Sequence, residues 1–337
     1  MRKTASALIT RWTVVRAAGS GLGLAVAALA LVLPQAAQAQ LASGLAGSVG
    51  STVGPDGALY VPESAVGRIT RIDPKTGAVT TYAEGLPATL PWVGFGGATD
   101  VAFLGGTAYA LVTMVGPDLG GSDVVGIYRI DASGNHEPIA DIGSFTIANP
   151  SPTDWFLPSG VQYAMEPWRG GFLVTDGHHN RVLSVKINGE VSEFRGFDNI
   201  VPTGLEVRGN TVYMARMGAI PHLAEEGQVV AFGPKSASER VVASGAPMLV
   251  DVERGRGQTM FALSQGTWDE AFPGSPAKPD EGSLVRVNGD GSFSVVADGL
   301  DRPSSMEIIG NMAYVVTLTG EVWAIDNIAG PPFGKAR

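Results

Sequence analysis

One phrase recurs along this chain and dictates its architecture. GPDGALYVPES, GRITRID and GAVTTYAEGL in residues 54–86 return as GGFLVTDG and NRVLSVKINGEVSEFRGF in 170–197, and again as GSLVRVNGDGSFSVVADGL in 282–300. Short apolar runs are cut by Asp-Gly, Asn-Gly and Lys-Thr-Gly, which supply the positive φ angles that tight hairpins need. A period of roughly 40–50 residues with about four strands per unit marks a β-propeller, whose blades cannot bury their faces alone and must stack.

The units align on their second strand, at Tyr60, Tyr109, Leu173, Tyr213, Phe261 and Tyr314. Six anchors predict an all-β, six-bladed propeller. First strands are expected at PSGVQY (158–163), PTGLEV (202–207) and PSSMEI (303–308), with ATDVAF (98–103) and LVDVER (249–254) as looser versions. Third strands end in RID, KIN, RVN or AID, where Asp or Asn opens the next turn by bonding its own backbone; that role is structural. After residue 326 little chain is left for a fourth strand, so either residues near 41–53 complete the ring or the last blade has three strands.

The first 39 residues lie outside this pattern. Arg2, Lys3, Arg11 and Arg16 precede an apolar run from Gly19 to Leu33, and Ala37-Gln38-Ala39 has the small-x-small form of a cleavage site, so 1–39 reads as a signal peptide cut near Ala39. The expected organisation is a leader at 1–39, one propeller domain at 40–330 and a tail at 331–337, in a periplasmic or secreted protein with no stable membrane insertion after cleavage. Removing the leader leaves 19 basic and 32 acidic residues, a net charge of −13 against −9 for the whole chain. Such a protein is a poor partner for nucleic acid. The chain has no cysteine, which excludes disulfides, thiolate metal sites and a Cys nucleophile. GxSxG, HExxH and phosphate-loop motifs are also absent.

Two rings of positions follow from the alignment. The ends of the second strands place Glu63, Val112, Asp176, Arg216, Ser264 and Thr317 together, and the first strands place Thr52, Ala102, Gln162, Glu206, Glu253 and Glu307 together. Glu206, Glu253 and Glu307 could converge on the axis and bind calcium or magnesium, which prefer hard oxygen ligands; equally they could pair with neighbours such as Arg208 and Arg254. His178 and His179 follow Asp176, and His222 lies in a longer loop. With Glu63 and Asp176 they form the catalytic candidates, as general base or metal ligand, against the plainer reading of solvent-exposed loop residues. His136 is expected on the outer rim. Insertions at 143–157, 216–227 and 264–281 carry Trp155, His222 and Trp268, and the connection 86–97 carries Trp92. With Arg216, the three tryptophans could hold a flat organic ligand or a sugar, or could simply form a lid on the propeller.

With the repeats aligned, the chain resembles the ScyD/ScyE family of exported propellers, related to NHL-repeat and gluconolactonase-like proteins. GPDGALYV (54–61), VTDGHHNRVLSV (174–185), VPTGLEV (201–207) and SLVRVNGDGSFSVVADGLDRP (283–303) carry the resemblance. It implies a six-bladed propeller outside the cytoplasm and no particular reaction. Gluconolactonase-type relatives hold a divalent cation with an acidic residue, an Asp and an Asn that follows Pro at the start of an inner strand; Ser159, Thr203 and Ser304 stand at those positions, so that ligand is missing. The strict blade phrase of virginiamycin B lyase is not reproduced. The reading adopted is an exported ScyD/ScyE-like propeller that binds a small organic ligand or serves as an accessory in extracytoplasmic biosynthesis. A metal-dependent lactonase or lyase and a protein-interaction scaffold are the alternatives, the last implying a protein partner.

Overall fold

The computed structural model describes residues 38–329, so nearly all of the expected leader and the whole tail at 331–337 lie outside the described residues. Six antiparallel four-stranded sheets form the six blades. Blade 1 holds β2 (Thr52–Val53), β3 (Leu59–Glu63), β4 (Arg68–Ile72) and β5 (Val79–Glu84), and blade 2 holds β6 (Gly97–Leu104), β7 (Thr107–Thr113), β8 (Gly126–Ile130) and β9 (His136–Asp141). Blade 3 follows with β10 (Gln162–Trp168), β11 (Gly171–Asp176), β12 (Arg181–Lys186) and β13 (Val191–Gly196), and blade 4 with β14 (Pro202–Arg208), β15 (Thr211–Arg216), β16 (Gln228–Phe232) and β17 (Arg240–Ser244). Blade 5 contains β18 (Leu249–Arg254), β19 (Met260–Ser264), β20 (Gly282–Val287) and β21 (Phe293–Leu300). Blade 6 contains β22 (Pro303–Ile309), β23 (Met312–Thr317) and β24 (Val322–Ile325), and its outer strand is β1 (Gln38–Ala42).

The ring closes with a strand from the opposite end of the described chain, but at Gln38–Ala42 and not across 41–53, because Thr52–Val53 is already taken as the first strand of blade 1. β1 pairs antiparallel with β24, matching Gln38 to Ile325 and Gln40 to Trp323, so blade 6 is not left with three strands. A cut after Ala39 would leave residues 40–42 to hold that edge. All six anchors fall on second strands, where Tyr60, Tyr109, Leu173, Phe261 and Tyr314 are buried. They pack between blades: Tyr60 meets Tyr82 and Phe103 edge-on at 4.9 and 4.8 Å, and Tyr109 meets Phe172 at 5.0 Å. The C to D turns use the expected chemistry, Asp73 Oδ1 accepting from the Lys75 and Thr76 amides and Asp131 Oδ1 from those of Ser133 and Asn135. The Asn135 side-chain amide, donating to Asp131 Oδ2 at 3.0 Å, together with these backbone bonds holds Asp131 below its usual pKa, and the backbone bonds do the same for Asp73.

One first strand differs from expectation. Pro158-Ser159-Gly160 is a turn closed by Gly160 N–H to the Leu157 carbonyl at 3.0 Å, with Gly160 at φ 78°, and β10 begins only at Gln162. Gln162 pairs with Asp176, at the end of the second strand. The residue opposite the Leu173 anchor is Glu166, as Glu206 is opposite Tyr213, Glu253 opposite Phe261 and Glu307 opposite Tyr314. Glu166, not Gln162, thus completes the inner ring in blade 3.

Candidate functional site

Four consecutive blades present a glutamate at one level of the central channel: Glu166, Glu206, Glu253 and Glu307. Thr52 and Ala102 occupy the same register in blades 1 and 2. Carboxylate oxygens of Glu166, Glu206 and Glu253 lie within 4.8 Å of one another. Burial, reinforced by the charge of the neighbouring carboxylates, pushes Glu166, Glu253 and Glu307 well above the usual pKa. Burial also raises Glu206, which keeps 15% side-chain exposure, but Arg208, 3.8 Å away, and Arg254 offset part of the effect.

Two residues earlier, Asp100 and Asp251 occupy strand bulges half a ring apart, in blades 2 and 5. Each grips the next blade. Asp100 accepts from its own Val101 amide at 2.8 Å and from Met165 N–H at 2.7 Å; Asp251 accepts from Val252 at 2.8 Å and from Met306 at 2.7 Å. The preceding blade leaves room for them: a Cβ on Gly50 would sit 2.2 Å from Asp100 Oδ1, and one on Gly204 2.3 Å from Asp251 Oδ1. Burial outweighs these bonds, raising Asp100 well above its usual value and Asp251 to about 7. Glu166, Asp100 and Asp251 do not stand out from the repeat pattern. The shared Asp-Val of ATDVAF and LVDVER was the visible signal for the aspartates.

The channel encloses a cavity of about 30 Å³ between Asp100, Tyr163, Glu166, Asp251, Glu253 and Glu307. That is room for an ion or one to two waters, since about 10–15 Å³ suffices for a single water, and far below the roughly 300 Å³ of a small-molecule site. The positions matched to the gluconolactonase-type ligand do not supply it. Thr203 and Ser304 donate to the Leu249 and Val316 carbonyls, and the buried Ser159 hydroxyl has no partner among the described residues.

The other candidates stand on the face carrying the long loops, at the opposite end of the inner strands from the glutamates. Glu63 is fully buried and takes both nitrogens of an Arg68 fork at 2.8 and 2.7 Å, the Thr70 hydroxyl and the Ala46 amide. Burial favours the neutral acid, but these bonds outweigh it and hold its pKa low. Asp176 pairs with Arg181 at 3.4 Å and accepts from the Val161 and His179 amides; here burial prevails and its pKa rises. Each acid faces an arginine directly across the strand pair.

His178 Nε2 accepts from the Phe156 and Leu157 amides at 2.8 and 3.0 Å, and burial lowers its pKa to about 4. His179 Nδ1 accepts from Ser151 N–H at 3.2 Å, leaving Nε2 to donate to the Leu157 carbonyl at 3.1 Å. The two imidazoles clamp the loop that follows α1 (Ile142–Ala148). Trp155 stacks on His179 at 5.3 Å and Phe156 meets His178 edge-on at 4.3 Å. His222 belongs to a separate cluster: its Nδ1 donates to the Gly218 carbonyl and its ring packs on Trp268 at 5.5 Å. Trp268 is buried, whereas Trp92 is 67% and Trp155 39% exposed. Arg216 is held by Gln228 and, at 3.5 Å, by Glu239. His136 opens β9, on the outermost strand of blade 2.

No family model and no curated protein matches the chain. Among solved structures it is similar to virginiamycin B lyase from Staphylococcus aureus, at 12% identity and a TM-score of 0.52, over 86% of this chain and 98% of the lyase. It is also similar to a gluconolactonase, XC5397 from Xanthomonas campestris, at 13% identity and a TM-score of 0.59, over 86% and 89% of the two chains. A chain of a nidogen/laminin complex matches at 12% identity and a TM-score of 0.55, over 81% and 89%. At these identities the shared property is the fold alone, a β-propeller, here with six blades.

Proposed function

We propose that this protein is an exported, ScyD/ScyE-like binding propeller whose channel holds a calcium ion between Glu166, Glu206 and Glu253, with Glu307 beside them. The observation that carries this reading is the convergence of three carboxylates within 4.8 Å. Oxygens this close can share one ion at up to about 2.8 Å in their plane, which admits calcium at about 2.3–2.6 Å and magnesium at roughly 2.1 Å; calcium, tolerant of irregular oxygen sets, suits ligands drawn from separate blades better than magnesium with its strict octahedron. An ion there would neutralise charge that the two nearby arginines only partly offset.

Its organic ligand, in this reading, binds outside the channel. Trp92, Trp155 and Phe156 expose apolar rings on the long-loop face, where a flat compound could stack. The similarity to virginiamycin B lyase and gluconolactonase favours a second reading, a cation-dependent lyase or lactonase. Against it stand the small channel cavity and the engagement of Glu63, Asp176, His178 and His179 in internal bonds. Titration calorimetry with calcium and magnesium, followed by lactone hydrolysis assays on the calcium-loaded protein, separates the possibilities. Calcium binding without turnover supports the binding propeller; calcium-dependent turnover selects the enzyme; no binding of either ion removes the channel site.

A further inference from the structure

On the face opposite the long loops, blades 4 and 5 part to form a cleft of about 490 Å³, within the size range of small-molecule sites. Its polar wall is cationic in a chain of net charge −9: Arg240 comes from β17, Arg254 from β18 and Arg286 from β20. Arg240 and Arg254 form no ion pair with any carboxylate among the described residues. The Arg254 guanidinium lies 5.3 Å over the Tyr213 ring and donates to Gln258 Oε1 at 3.2 Å, while its buried Nε–H has no acceptor. Arg254 is thus oriented in advance, with donor capacity unused. The nearby Asp290 carboxylate is engaged by the Ser292 amide and hydroxyl. Val242, Met260 and the Tyr213 ring supply an apolar wall.

We propose that this cleft binds a small organic carboxylate, its anionic group held between Arg240 and Arg254 and its apolar body laid against Tyr213 and Met260. Planar guanidinium groups match a carboxylate in two parallel bonds, and an apolar wall beside them selects an organic body over an inorganic anion. Arg254 also acts on Glu206 of the channel, whereas Arg240 stands on the outer strand β17. Calorimetric titration of the purified protein with indole-3-acetate, indole-3-acetamide and phenyl phosphate tests it. Saturable binding of indole-3-acetate is expected, none of the amide, and about tenfold or greater weakening in Arg240→Ala and in Arg254→Gln. Arg240 is on the surface, so its variant decides the matter even if Arg254→Gln fails to fold. No saturable binding of indole-3-acetate, equal binding of the amide, or unchanged affinity in Arg240→Ala overturns the proposal; tighter binding of phenyl phosphate than of indole-3-acetate overturns the carboxylate assignment.

Discussion

Arg181 is almost fully buried, and Asp176 is the carboxylate that meets it at depth. Asp176→Ala strands that guanidinium, and urea denaturation should show a loss of about 3–5 kcal/mol, the cost of breaking a buried pair from one side. His178 acts at lower stakes. Its folded pKa, near 4, lies below the unfolded value near 6.5, so below pH 6.5 the unfolded chain binds the extra proton. The clamp's contribution is complete above pH 6.5 and is lost as pH falls towards 4. Amide exchange at Phe156 and Leu157, corrected for intrinsic rate, should accelerate below pH 6 and become insensitive to pH in His178→Ala.

The bulged inner strands depend on a glycine and an aspartate from adjacent blades. Gly204→Ala places a methyl against Asp251, and Asp251→Ala leaves the Val252 and Met306 amides without their acceptor. Each should lower the unfolding free energy by about 2 kcal/mol or more in chemical denaturation. Most of the ring was legible in the sequence because hairpin turns and buried aromatics repeat in every blade: the six anchors, the turn aspartates and three of the four channel glutamates are read from that rhythm. Glu166 was hidden because Pro158-Ser159-Gly160 imitates the Pro-led starts of β14 and β22 while forming a turn. The roles of Glu63 and the histidines were hidden for another reason. Their partners Ala46, Ser151, Phe156 and Leu157 donate backbone amides, and nothing in residue identity reveals where a loop amide points.

Taken whole, the propeller concentrates Asp100, Asp251 and four glutamates around one axis. Their folded pKa values lie above the unfolded ones near 4, so between those values the native state holds more protons than the unfolded chain. Their contribution to stability is complete below about pH 4 and is lost as pH rises, for Asp251 through about 7. The cation-free protein should therefore melt at a lower temperature at pH 8 than at pH 5, and calcium should narrow the difference by favouring the ionised ring. The most direct measurement is the melting temperature at pH 7.5 with and without calcium, for the native chain and for Glu166→Gln/Glu253→Gln. At a calcium concentration 100 times Kd the native chain should gain about 2.7 kcal/mol, seen as a rise of several degrees, and the double variant should melt higher without calcium and show no rise with it. An equal calcium response in both proteins, or none in the native chain, contradicts a cation site in the channel.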